Sequence, residues 1–493
     1  MAKSDPRVPA KMSKLKVVSA FAAFVGVLFL FPATGIGAGL WLMHGLEKTE
    51  AAAGRPPLET LCWHLPFQWQ STDLCGEYQH AALLFDSSLA SGLYLVAASA
   101  LIALAGAAAR RSENFLVAAF GPIARVLVAT VSLVILVQGA CLAYAAFALI
   151  EEPTFELMVP IGFASAAIAA AFGLLSTGLA AFRLEPLRRR AVELTPEAQP
   201  ALWRAVAQIA RGIDAPMPDH ILAGLDESFF AAFAPVELPD GRILNGEKLY
   251  LSLPLMRVLS IEEMGAIIGH ELAHFKSNDT RWTLRFGPVY VGLQDTLDHF
   301  DDERNWGQLA SLPAQWLLML FMGQFATAER LHHRRREFEA DRAGAQAAGA
   351  SAVASGLVRI TATHGVSRAF RNALAERKLD AGQSENLARF FAYWADDHLS
   401  KQDPQALLVK LAAARLPHPV DTHPPLRDRL AALGVDPDRA WLTLPADSAS
   451  AMIDGVDEIE RRLSRGEIAH FAEIANMRID REPALRREAA TMK

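Results

Sequence analysis

The sequence predicts a mainly α protein in two parts: an N-terminal membrane bundle of four helices, then an α-rich α+β domain with a small sheet. Four long apolar runs precede residue 183, and from Leu184 the composition turns to that of a soluble domain. That later part mixes amphipathic helical periodicity with two short strand-like runs. The 493 residues are 52% hydrophobic and only 21% charged, too apolar for an ordinary soluble chain and long enough for a membrane part plus a folded domain. A net charge of -6 gives no reason to expect a nucleic-acid partner. With three cysteines a Cys-based zinc cluster is excluded, so a bound metal must rest on His and carboxylates.

In chain order, a short basic arm (Lys3, Arg7, Lys11, Lys14, Lys16) leads into the apolar runs 17–43, 89–109, 126–150 and 157–182. Each is long enough to cross a bilayer core, and the first is too long for a cleaved signal peptide. Arg110, Arg111, Arg125, Arg183 and Arg188 to Arg190 fall on one side of the implied topology, against only Lys48 and Arg55 on the other. The positive-inside rule then puts both termini and everything after Arg183 in the cytoplasm, with a lipid bilayer as partner and a bacterial inner membrane as the expected site. The outward loop 45–80 contains Cys62 and Cys75, a candidate disulfide in an oxidising space. Cys141, inside the third run, reads as a small apolar residue.

Residues 184–434 read as the folded domain, and 435–493 as a helical extension ending in a polar tail. An amphipathic helix is expected over 202–213. Strands are expected at 220–225 and 248–253 around the Asp240-Gly241 turn. The second strand is either an ordinary packed strand or one whose edge is presented to an extended peptide.

The domain's chemistry centres on His270-Glu271-Leu272-Ala273-His274. Residues four apart share a helix face, so both imidazoles reach one ion, while Glu271 is rotated about 100° toward a water on it. Ser260 and Glu263 form a capping box, and Met264, Ile267, Ile268 and Leu272 give that helix an apolar face. A second helix carries Glu337 and Asp341, again four apart. Glu337 suits a third ligand, and Asp341 suits the carboxylate that orients a ligand histidine, His270. The adjacent His332-His333 pair, set among arginines, reads as solvated surface. The borderline apolar run 312–325 should not cross the bilayer: a core about 30 Å thick would separate ligands that must sit about 2 Å from one ion. It is expected as a core helix or as one that dips into the membrane surface and returns.

His270 to His274, then Glu337-Phe338-Glu339-Ala340-Asp341, then Thr422-His423-Pro424-Pro425-Leu426-Arg427-Asp428-Arg429 resemble the three ordered motifs of the family of the HtpX heat-shock protease and the type I CAAX prenyl protease. The resemblance spans roughly 184–434 and implies a zincin-type metallopeptidase domain of the gluzincin class, with one zinc per chain and a polypeptide substrate. It implies His270, His274 and Glu337 as ligands, Glu271 as general base, and His423 and Arg429 as further catalytic residues near the active site. The chain departs from the family where many members carry Asn-Ala-Phe and it reads Phe229-Phe230-Ala231-Ala232-Phe233. Its four expected spans also all precede the site. The expected activity is hydrolysis of membrane or misfolded proteins. The alternative is a catalytically silent zinc-binding scaffold. A transporter would favour charges inside the spans, and apart from Arg125 and Asp86 near span ends there are none.

Overall fold

The computed structural model describes residues 14–62, 74–148, 157–180, 186–276, 307–375, 385–413 and 424–470. The chain divides into two compact units, one formed by 1–183 and 286–329, the other by 184–285 and 330–493.

The first unit contains α1 (Lys14–Ala52), α2 (Leu58–Cys62), α3 (Leu74–Arg111), α4 (Glu113–Ala148) and α5 (Met158–Ala180). Among the described residues three helical stretches are long and apolar enough to cross a membrane: Leu74–Arg111, Glu113–Tyr144 and Met158–Ser176. Where four were expected, three are thus found among the described residues. The first run is helical within α1, but its side chains up to residue 31 lie outside the described set. Leu93, Leu101, Leu104, Val126, Ile161 and Phe172 are all more than half exposed. A soluble bundle would bury such side chains, whereas lipid accepts them. Between α3 and α4 runs a polar seam. Gln138 Nε2 donates to Ser91 Oγ at 2.6 Å, and Cys141 Sγ lies 3.0 Å from Ser87 Oγ, so Cys141 does more than fill space. A disulfide joins Cys62 to Cys75 with Cα atoms 5.2 Å apart, tying α2 to the start of α3.

A 42-residue helix, α9 (Gly307–Ala348), begins in this unit and ends in the other. Phe321 and Phe325, one turn apart, lie against Phe120 with ring centroids 5.1 and 5.4 Å away, and Arg110 donates to Gln324 at 2.8 Å. The described part of the run 312–325 therefore packs on the apolar helices of the first unit, which excludes a place in the core of the second.

The second unit is built on a four-stranded sheet, order β2-β3-β7-β4, from β2 (Ala191–Glu193), β3 (His220–Gly224), β4 (Phe230–Ala232) and β7 (Lys248–Ser252). A smaller sheet joins β1 (Leu187–Arg188), β5 (Val236–Glu237) and β6 (Ile243–Leu244), the last two linked through Gly241 at φ +83°. β7 runs parallel to β3, with Leu222 opposite Tyr250, and antiparallel to β4, with Phe230 opposite Tyr250. All five of its residues are buried. Of the two readings of this strand, the ordinary packed one holds: both its sides are hydrogen-bonded, and the end of the sheet passes to β4. Helices α6 (Pro200–Gly212), α7 (Leu253–Val258), α8 (Ile261–Lys276), α10 (Ala350–Ala375), α11 (Leu387–Ser400), α12 (Pro404–Ala413) and α13 (Leu426–Leu433) complete the unit with a helix over 456–470.

Lys248 is fully buried on β7, its ammonium donating to the carbonyls of Phe233, Leu244 and Gly246. Loss of solvation pushes its pKa down to about 8, with Asp219 opposing. Between about pH 8 and 10.5 the unfolded chain holds a proton that the folded one has released, so stability rises with pH through that window. Lys248→Met should flatten this rise in denaturant titrations run at a series of pH values. An unchanged slope in the variant would rule the assignment out.

The extension from 435 onward is part of this unit's core. Ala449, Ile453 and Leu463 are buried in one cluster with Met264, Ile268 and Leu272 of α8. Glu460 and Asp457 bind Arg257, Asn386 donates to Glu460 at 2.7 Å, and Gln199 exchanges two 2.8 Å bonds with the backbone of Asp454. Just before α8, the Ala449 amide donates to the Leu259 carbonyl at 2.7 Å.

Candidate metal centre

The first turn of α8 is closed by the capping box: Glu263 Oε2 accepts from the Ser260 amide at 2.8 Å, and Ser260 Oγ accepts from the Glu263 amide at 3.1 Å. Glu263 is itself held by a buried Arg359 from α10, whose guanidinium contacts both carboxylate oxygens at 3.2 and 3.0 Å and also donates to the Thr443 carbonyl. Two glycines let α8 meet the second half of α9. A Cβ on Gly269 would lie 2.7 Å from that of Ala347, and one on Gly344 would lie 2.7 Å from the Ala266 carbonyl oxygen. Neither contact is tolerable, so the absence of a side chain at both positions permits the close approach.

That approach brings Glu337 of α9 to His270 and His274 of α8, and the three offer ligand atoms all within 4.8 Å of one another. The two Nε2 atoms are 3.3 Å apart. Glu337 Oε1 stands 3.6 Å from His274 Nε2, and Oε2 stands 3.8 Å from His270 Nε2. A tetrahedral site with bonds of about 2.0–2.1 Å has edges of about 3.3 Å, so this N,N,O set fits zinc after shifts of a few tenths of an ångström. Glu337 is fully buried and His270 nearly so. Asp341, one turn beyond Glu337, has Oδ1 3.1 Å from His270 Nδ1. With the proton on Nδ1, the Nε2 lone pair faces the other ligand atoms.

Arg429 of α13 is buried behind these groups. Its Nε donates to Asp341 Oδ2 at 2.8 Å, Nη2 donates to Oδ1, and Nη1 lies 3.5 Å from Glu337 Oε2. Burial alone would raise the pKa of Asp341, but the bonds from Arg429 and His270 outweigh it and hold the carboxyl below its usual range. Arg429 is penalised by burial yet stays charged beside Asp341, Glu337 and Glu271. With N–H groups turned to Asp341 and Glu337, Arg429 is placed to orient these carboxylates. Glu271 is half-buried on α8 and close enough to Arg429 to feel its charge. His423 lies outside the described residues. The histidines before Glu337 correct the expectation of solvated surface: His332 is buried, and His333 Nε2 is 3.8 Å from Glu337 Oε1. The missed signal was spacing, since His333 precedes Glu337 by four and shares its face.

Apolar N-terminal helices followed by an α-rich domain, with paired histidines on one helix and an acid from a later one, make this a membrane protein with a candidate His-His-Glu metal site. Residues 196–435 match the model of peptidase family M48. The chain is similar to a "Protease HtpX homolog" of Archaeoglobus fulgidus, 27% identical over 234 residues, covering 46% of this chain and 65% of the relative. A homolog of that name from Burkholderia thailandensis is 31% identical over 176 residues (34% of this chain, 59% of the relative). "Protease HtpX homolog 1" of Sulfurisphaera tokodaii is 31% identical over 105 residues, 21% and 32% of the two chains. The chain thus spans less than two thirds of the length of each. No solved structure matches it.

Proposed function

We propose that this protein is a membrane-anchored zinc endopeptidase of the bacterial inner membrane, its catalytic unit cytoplasmic, acting on membrane or misfolded proteins. The observation that carries the reading is the convergence of His270, His274 and Glu337, with ligand atoms at 3.3–3.8 Å and Asp341 orienting His270. The disulfide after α1 suits an oxidising outer side, and the arginines after α5 suit the inner one. Zinc, when bound, lowers the pKa of a water to about 7 and polarises the scissile carbonyl. Glu271 takes a proton from the attacking water and passes it to the leaving amine. His423 is the candidate donor to the developing oxyanion. Asp341 and Arg429 keep the ligands aligned. An extended substrate pairs its backbone with the outer side of β4.

The test is metal analysis of the full chain in detergent together with cleavage of a casein-type substrate. One zinc per chain, cleavage stopped by a chelator and restored by zinc, is the expected result. Stoichiometric zinc without cleavage would favour the silent scaffold instead. No zinc at all would refute both.

A further inference from the structure

Resting on the zinc reading, one residue of α9 acquires a role. The two oxygens of the Glu337 carboxylate are each approached by two nitrogens. Oε2 faces His270 Nε2 at 3.8 Å and Arg429 Nη1 at 3.5 Å, while Oε1 faces His274 Nε2 at 3.6 Å and His333 Nε2 at 3.8 Å. His270 and His274, as ligands, turn lone pairs to the metal. Of these four neighbours, Arg429 and His333 therefore carry the N–H groups that steady the carboxylate, one beside each oxygen. A ligating carboxylate held on one oxygen alone can swing about its last side-chain bond. Donors on both fix its plane, and partners of this kind govern how well the metal is held.

His333 is placed for this by the helix itself. It stands one turn before Glu337 on the same face, and α-helical side chains lean toward the N-terminus, into the space beside Oε1. Its side chain is 23% exposed, whereas Arg334 and Arg335, next in sequence, point outward. At 3.8 Å the pair is longer than a hydrogen bond, and a turn of the ring that moves Nε2 by about 1 Å closes it.

We propose that His333 is a positioning residue of the metal centre, donating through Nε2 to the Glu337 oxygen opposite the one Arg429 approaches. The experiment compares the full-length parent chain with His333→Ala, His333→Leu and His333→Gln in detergent. Zinc affinity is read by competition with a chelating dye, and ligand geometry by the visible spectrum of the cobalt-substituted protein. Leucine fills the space without a donor; glutamine restores an N–H. Ala and Leu are expected to weaken zinc binding by about 10–100-fold and to alter the cobalt spectrum, with Gln recovering most of both. Parent-like affinity in the Leu variant would overturn the proposal, and so would a Gln variant as weak as Leu. If the parent takes up no zinc, the metal reading fails, and this inference with it; a parent that binds zinc and a Leu variant that binds it equally well sink this inference alone.

Discussion

Glu271→Gln should keep its zinc and lose proteolysis by about 10²–10⁴-fold, the usual worth of a positioned general base. The substitution preserves the size of the side chain and removes the carboxylate that takes the proton. None of the ligand contacts among His270, His274 and Glu337 depends on it. His270→Ala should behave differently, losing activity and metal together, because it removes one corner of the donor set and the partner of Asp341. The pair of variants separates chemistry from assembly. Purified Glu271→Gln that cleaves as fast as the parent would mean that the proton is moved by another group.

The second large effect is expected far from the metal. Arg359→Met should destabilise the second unit by about 3–5 kcal/mol, because it strands the buried carboxylate of Glu263 without its charge partner. For a unit of this size that is a fall in Tm on the order of 10 °C. Pairing the change with Glu263→Gln removes the stranded charge, so the double variant should recover a large part of the loss. Thermal unfolding in detergent checks both; a single variant melting within about 2 °C of the parent would show that the pair holds nothing. The consequence reaches the site, since Glu263 closes the first turn of the helix bearing His270.

How much of this was legible in the sequence follows from which forces are local. The helix of His270 was readable because its cap, apolar face and histidine spacing all lie within 15 residues of one another. The gap to the second helix, 71 residues from His270 to Asp341, was bridged by the spacing of Glu337 and Asp341 and the demand for a third ligand. What escaped depends on distant partners. That β4 covers one side of β7 is fixed by pairing between Phe230 and Tyr250, which no local pattern encodes. That Arg429 turns inward to Asp341 follows from how α13 packs, and a lone arginine in a motif does not reveal which way it faces. His333 was hidden by the charged run around it, since a string of arginines reads as solvated even when one member of the helix turn points inward. The apolar stretch 312–325 was ambiguous by length, and the place of its described part was decided by where Phe120 sits.

The closing segment of the chain has a practical side. A gene trimmed at residue 435, where the match to family M48 stops, would delete Ala449, Ile453 and Leu463 from beneath the helix that carries the paired histidines. Expression of such a fragment should give insoluble protein, and its inactivity would say nothing about the zinc ligands. Purification handles belong beyond residue 470, and a screening library of this protein should keep residues 435–470 in every member.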